Sequence, residues 1–325
     1  MKTIDNPANP FVMHVCESDE EWLSFRNEGV GGSDVSTIIG ANKYKSPLKL
    51  WLEKTGRVAQ DDLSDKEAVE WGNRLEATIR SKFAETHPEF DVSESGSTMV
   101  SRERPWAHAN LDGIIESDEG NGILEIKTVG LNRKHDWDDG VPDYYVAQVT
   151  HYMSVTGWKF AYVAALIAGQ HYVEFRLDRD DDDVAEVSRM VDKFWLDYVM
   201  QDVAPQLTGM VDESAALLDL YGFKSKDYVS PENVDHFDTL VHDYQEAKAC
   251  ERKYAEQAKR IANDLRAMAG SNKGVVSDVY KVTWVKSESS RFDQKRFKAE
   301  HPDLADEYTV SYLRDGGLRV SEVRR

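Results

Sequence analysis

Residues His108–Thr128 read HANLDGIIESDEGNGILEIKT. Leu111, Ile114 and Ile115 give a short apolar run, and Ser117-Asp118-Glu119-Gly120-Asn121-Gly122 is a dense turn signal. A second apolar run, Ile123 to Val129, follows. The pattern predicts a β-hairpin. Residues two apart on a strand share a face. Glu125 and Lys127 therefore point one way, and Leu124, Ile126 and Thr128 the other. Asp112, at the end of the first strand, reaches the same polar face across the hairpin.

Two carboxylates and an amine in so apolar a setting need an account. A buried charge is costly unless it is paired or ligates a metal. Carboxylate oxygens are hard ligands that suit Mg²⁺ or Mn²⁺. A lysine beside them can orient or deprotonate water. This is equipment for metal-assisted hydrolysis of a phosphodiester. An exposed strand carrying an ordinary Glu–Lys pair would show the same spacing, and D…E-x-K alone does not separate the two.

Upstream, Phe11–Val15 reads as a strand and Asp19–Asn27 as a helix. Gly29-Val30-Gly31-Gly32-Ser33-Asp34 follows. It lacks the third glycine of a dinucleotide loop and the Gly-Lys-Ser/Thr of a Walker loop. Ser33 is a candidate N-cap for a helix over Asp34–Ile39. Such a turn is either an ordinary cap or a backbone cradle for an anion. Lys43, Lys45, Lys49, Lys54 and Arg57 then make a basic stretch in an acidic chain, either a phosphate contact or a solvated face. Ser46-Pro47 opens a helix there. After a polar linker, Gln60–Asp65, a longer helix runs to His87. Glu76 shares its apolar face with Gly72, Ile79 and Phe83, as a helix-edge residue or a third acidic site group.

Ser93–Val100 reads as one strand and Asn132–Gly140 as a polar loop. Pro142 opens a helix that ends at Gly157 and sets Gln148 and Tyr152 on one face. Strands Phe160–Ile167 and His171–Leu177 follow. The run Asp178–Asp183 caps the next helix rather than binding metal. Beyond residue 205 the character changes: a linker over Asp212–Asp235, and a long charged helix over Phe237–Ala269. A strand over Gly274–Lys286, a helix over Ser290–Glu300 and a final hairpin around Asp315-Gly316-Gly317 complete the chain. The expected domains are 1–205 and a 206–325 extension for interaction or assembly.

The net charge of −19 over 325 residues argues against a non-specific nucleic-acid coat. It leaves room for a DNA enzyme with its cations gathered in one channel. Two cysteines, Cys16 and Cys250, exclude a zinc-finger spacing and an intrachain iron–sulfur cluster. The polar start predicts no signal peptide, and no apolar run approaches the roughly 18 residues of a membrane span.

Taken in order, GGSDVSTIIGANKYKSPLKLWLEKTG from Gly31, WGNRLE from Trp71, LDG, EIK and QVTHY resemble the blocks of the lambda exonuclease and YqaJ-like viral recombinase family. That family lies within the restriction-endonuclease-like PD-(D/E)XK superfamily. The resemblance covers roughly residues 20–200. It implies an α/β (α+β) fold with a mixed central sheet flanked by helices, and a C-terminal appendage. It further implies that Asp112, Glu125 and the Ile126 carbonyl hold Mg²⁺, with Mn²⁺ as a substitute. Glu76 would help hold a second ion, Lys127 would position or activate water, and Gln148 would support the site. Arg26 and Ser33 would receive a 5′-phosphate, with Lys43 and Lys45 as further DNA contacts. The implied activity is 5′-to-3′ digestion of linear duplex DNA by a homo-oligomeric ring, trimeric or tetrameric. A single-strand annealing partner and a phage or prophage origin in a bacterial cytoplasm go with it. The alternatives are a structure-specific or nicking endonuclease, and a scaffold with an idle site.

Overall fold

The computed structural model describes residues 1–60, 66–222, 227–310 and 317–321. The chain divides into two compact units, Met1–Phe223 and Lys224–Arg325. Most of the polar linker expected over Gln60–Asp65 lies outside the described residues.

The first unit runs β1 (Lys2–Ile4), β2 (Phe11–Val15), α1 (Asp19–Arg26), α2 (Gly32–Ile38), α3 (Pro47–Lys54) and α4 (Glu67–Thr86). Strands β3 (Asp91–Ser93), β4 (Thr98–Ser101), β5 (His108–Asn110), β6 (Gly113–Ser117) and β7 (Gly120–Val129) follow. Then come α5 (Asp143–Thr156), β8 (Phe160–Ile167), β9 (His171–Asp178), α6 (Asp181–Lys193) and α7 (Glu213–Tyr221).

The central sheet has the order β3-β6-β7-β8-β9. Only β7 and β8 pair in parallel, and α5 is the crossover that joins them. A second sheet, β1-β2-β4-β5, is antiparallel throughout. The fold is thus mixed α/β, as expected. Strand β7 lies at the centre of the main sheet, and its β-branched Ile123 and Ile126 are buried with Leu124. One apolar cluster forms around α5 and the strands, with Val149, Met153, Val163 and Ile167. Another packs Ile79 and Phe83 of α4 onto Leu124, Ile126 and Phe160. A third joins α2, α3 and α6 around Leu48, Trp51 and Val191. Each such side chain contributes about 1.5–3 kcal/mol by leaving water.

Several boundaries differ from the sequence expectation. The single strand over Ser93–Val100 is two strands in two sheets, because Gly96 takes φ +57° and turns the chain between them. The loop over Asn132–Gly140 contains a 3₁₀ segment, Leu131–Trp137, anchored by buried Trp137. Helix α2 starts two residues early, at Gly32, and Gly31 rather than Ser33 is its cap residue. The Asp34 carboxylate accepts from the Gly31 N–H at 3.1 Å, so the cap is supplied from inside the helix. Helix α6 continues into a π-helical turn over Phe194–Val199.

The sequence reading placed a domain boundary at 205, whereas the first compact unit extends to Phe223. Helix α7, read as linker, buries Ala216 in the α2–α3–α6 cluster, and Asp212 accepts from the Ser46 N–H at 2.7 Å. In the second unit, α8 (Val234–Ala269) is the long charged helix, capped by Asn233. The strand expected over Gly274–Lys286 is a hairpin, β10 (Gly274–Val276) and β11 (Lys281–Thr283), closed at Ser277–Tyr280. Helices α9 (Gln294–Glu300) and α10 (Pro302–Glu307) complete it. The final hairpin falls largely on residues 311–316 and 322–325, outside the described ones. Among the described residues, no helix is long and apolar enough to cross a membrane.

Candidate active site

The polar face of β7 is where the sequence placed it. Antiparallel pairing sets Gly113 opposite Leu124, so Asp112 enters the sheet beside Glu125 and Ile126. Its Oδ2 accepts from the Ile126 N–H at 2.7 Å. Glu125 is 1% exposed. Its Oε1 accepts from the Lys127 ammonium, two residues along the same face, and from Gln148 Nε2 at 2.6 Å. Gln148 also donates to the Tyr152 hydroxyl at 2.9 Å. The i, i+4 spacing on α5 thus brings both side chains down onto β7.

Glu76 approaches from α4. It pairs with Arg80 one turn on, at 2.6 Å. Arg80 also donates to the Asp112 carbonyl at 3.0 Å and to Glu94 at 3.2 Å. Sequence reasoning missed Arg80, although its i, i+4 spacing from Glu76 was the available signal.

The electrostatics show a shortage of positive charge. Burial pushes the Asp112 carboxyl up, and Lys127 only partly offsets it. Burial and the Asp112 carboxylate push Glu125 up to about 8. Burial and Asp112 also raise Glu76 despite Arg80. Burial would lower Lys127, but Glu125 and Asp112 outweigh it and raise it, so its ammonium stays charged. Glu125 Oε2 is buried with no hydrogen-bond partner among the described residues. An unpaired carboxylate oxygen in this position costs free energy that a bound cation would recover. The donor set, two carboxylates and the nearby Ile126 carbonyl, is all oxygen and fits a hard divalent ion. Among the described residues, no three acidic, His or Cys side chains close into a metal cage by themselves. A backbone carbonyl or solvent would have to complete one.

The glycine-rich turn lies against this site. A Cβ on Gly32 would fall 2.5 Å from the Tyr152 ring and 2.8 Å from Gln148, so only glycine admits the approach. Arg26 donates to the Ser33 hydroxyl at 2.6 Å and stacks over Trp22 at 5.3 Å. Asp34, buried beneath, pairs with Lys54 at 2.8 Å and lies 3.9 Å from Arg26. Burial raises the Asp34 carboxyl, but Lys54 and Arg26 outweigh it and hold it low. Lys54 is the cation of the basic stretch that turns inward. Lys43 is exposed, and Lys45 pairs with Glu53 at 2.8 Å. The structure therefore brings Arg26 and Ser33 together and leaves Lys43 and Lys45 outside the cluster.

His151 ties these parts. Its Nε2 lies 3.2 Å from the Val30 carbonyl and 3.1 Å from the His108 carbonyl. Carbonyls only accept, so the neutral ring carries its proton on Nε2. One side chain of α5 thus holds the glycine turn and β5, the strand that leads to Asp112. Val30 and Ala107 also form a parallel β-bridge.

The YqaJ-like viral recombinase domain family matches residues 21–159. Protein YqaJ of Bacillus subtilis (strain 168) is 32% identical over 297 residues, 88% of this chain and 89% of the relative. The chain belongs to the YqaJ-like family. Protein R354 of Acanthamoeba polyphaga mimivirus is 28% identical over 152 residues, 43% of this chain and 27% of that protein. Among solved structures, the alkaline exonuclease LHK-Exo from Laribacter hongkongensis is 22% identical and covers 61% of this chain and 99% of its own, with a TM-score of 0.48. All seven residues from Arg26 to Gln148 described around β7 and the glycine turn as site candidates lie inside the family match: Arg26, Ser33, Glu76, Asp112, Glu125, Lys127 and Gln148. The alignment to YqaJ exceeds the length of the first unit, so the likeness runs into the second.

Proposed function

We propose that this YqaJ-like chain is a divalent-metal-dependent exonuclease that digests one strand of linear double-stranded DNA from a 5′ end. The observation that carries this reading is the buried polar face of β7: Asp112, Glu125 and Lys127 side by side, with one Glu125 oxygen lacking a partner among the described residues. Mg²⁺, or Mn²⁺ in its place, held by Asp112, Glu125 and the Ile126 carbonyl, supplies Lewis acidity toward phosphate and water. Glu76 flanks that position and would exchange Arg80 for a second ion.

The chain's own residues do the rest. Lys127, paired with Glu125 on the same face of β7, positions or activates the attacking water and meets charge developing on the phosphate. Gln148 fixes the Glu125 oxygen it touches. Arg26 and Ser33 receive the terminal 5′-phosphate, a charge-assisted contact that sets the strand end. The narrow approach at Gly32 keeps that contact next to Gln148. The Arg26–Ser33 pair, held by the glycine turn that packs on Gln148, favours an exonuclease over a nicking endonuclease. A ring of subunits around DNA and an annealing partner for the single strand produced belong to the same reading.

Linear duplex DNA labelled at the 5′ end of one strand, beside a relaxed closed circle, tests it. Metal-dependent release of labelled mononucleotide from the linear form, with the circle intact, is expected. Cutting of the closed circle at a comparable rate would replace the exonuclease by an endonuclease.

A further inference from the structure

The second unit presents an apolar surface that its described residues leave open. Helix α8 runs unbroken for 36 residues, and Ala269 is its only buried residue. At 1.5 Å per residue it spans roughly 54 Å. Phe237, Leu240, Tyr244, Tyr254, Ile261 and Met268 on it are 37–71% exposed. Together with Ala247, Ala258, Leu265 and a single polar Glu251, they recur at alternating steps of three and four along the helix. That is the 3.5-residue period of a coiled-coil seam.

The sizes along the seam form a palindrome. Read inward from the two ends, Phe237 answers Met268, Leu240 answers Leu265, and Tyr244 answers Ile261. Ala247 answers Ala258, and Glu251 answers Tyr254, a carboxylate opposite a phenol donor. Every match joins a first seam position of the heptad to a second one, the combination that shares a layer when two helices run antiparallel. Charge follows the same symmetry. Residues 234–252 carry a net −3 and residues 253–269 a net +2. Antiparallel pairing sets the acidic half against the basic half. Parallel pairing would stack acid on acid and put two Glu251 carboxylates in one apolar layer.

We propose that α8 pairs with α8 of a second copy of this chain as an antiparallel, two-fold coiled coil centred between Arg252 and Lys253. Such a self-complementary patch is what a two-fold interface requires. On one flank Val241, Ala255 and Ala262 are small enough for close approach. On the other, Asp243 faces Asp264, both exposed to water, where like-charge repulsion is screened. Strand β10 packs against α8, whose last residue Ala269 is buried, while Ile261 and Met268 stay exposed. This contact is separate from any ring the first unit forms, and from its chemistry.

Light scattering on the full chain over a range of concentrations reads the assembly. The exposed change Ile261→Asp, which touches two symmetry-related layers, is expected to lower the solution mass at least twofold, with helix content by circular dichroism unchanged. Orientation is read by disulfide capture in a Cys16→Ser, Cys250→Ser background. The double variant Ala247→Cys, Ala258→Cys should form a covalent dimer, and Ala258→Cys alone should not. An unchanged mass for Ile261→Asp would overturn the proposal and leave the seam to a different chain. Capture by Ala258→Cys alone would overturn the antiparallel order.

Discussion

The two units of this chain treat apolar side chains in opposite ways. The first gathers them into three clusters around a five-stranded sheet and buries even charged groups, Glu125, Asp34 and Glu53, among them. In the second, Ala269 and Ala305 are the only buried apolar residues described, while α8 carries Phe, Tyr, Ile and Met in the open. The difference teaches where each unit's work is done. Charges buried at a cost and locked by neighbours describe a preorganised site. Apolar residues left at the surface in a regular period describe a face awaiting another helix.

The comparison breaks most sharply on chemistry. Glu125→Gln and Lys127→Ala are each expected to lower single-turnover cleavage at least about 10³-fold, the scale of a lost electrostatic or acid–base group. Ile261→Asp should leave that rate within about twofold. If a change on α8 abolished cleavage as fully as Glu125→Gln, the division of labour would be wrong.

Next in size is a pH dependence of stability carried by two buried histidines of the first unit. Burial lowers both His108 and His151 to about 4. Each is neutral in the folded chain, and below the unfolded value near 6.5 only the unfolded chain takes up the proton. Their contribution to stability is therefore fully present above about pH 6.5 and declines toward pH 4, by about 1.4 kcal/mol per pH unit for each histidine, while the raised Glu125 carboxyl works in the opposite direction over that window. Denaturant unfolding followed through a first-unit tryptophan signal checks it. A His151→Phe profile that runs parallel to the native one between pH 6.5 and 4.5 would mean that this ring is not held neutral.

His151→Phe sharpens the same point. It removes one of the two titrations and leaves two buried carbonyls without their shared donor, at a cost of about 2–4 kcal/mol. Between pH 6.5 and 4.5 its stability should fall less steeply than the native chain's, by about 1.4 kcal/mol per pH unit. The smallest effect is on end preference. Arg26→Ala should reduce the advantage of 5′-phosphorylated over 5′-hydroxyl ends about tenfold, the loss of one charge-assisted contact. The change should appear mainly in KM, since Arg26 touches the end and not the reacting carboxylates. An equal loss on both kinds of end would assign Arg26 to the framework.

Much of the site was legible because it is local. Glu125, Ile126 and Lys127 are consecutive on one strand, and the glycine-rich turn that brings Asp112 beside them is written between them. Gln148 and Tyr152 share a helix face by spacing alone. The rest depends on which side chain turns inward, which composition does not encode. Lys54 looked like any of five cations, yet it is the one sealed against Asp34, while Lys45 is spent on Glu53. Arg80 gains its role from touching the Asp112 carbonyl and Glu94, residues 32 and 14 positions away. Helix α7 is only nine residues long, and its reason to exist is a tertiary pocket for Ala216 rather than a strong period of its own.

The proposed function makes the polar face of β7 a metal-dependent nuclease centre. Its most direct test is single-turnover release of 5′-mononucleotide from linear duplex DNA, with Mg²⁺ and with chelator, for the native chain and Glu125→Gln. Release by the native chain with Mg²⁺, and by neither the chelated protein nor the variant, is the predicted result. Release that persists in Glu125→Gln, or that ignores the chelator, would contradict it.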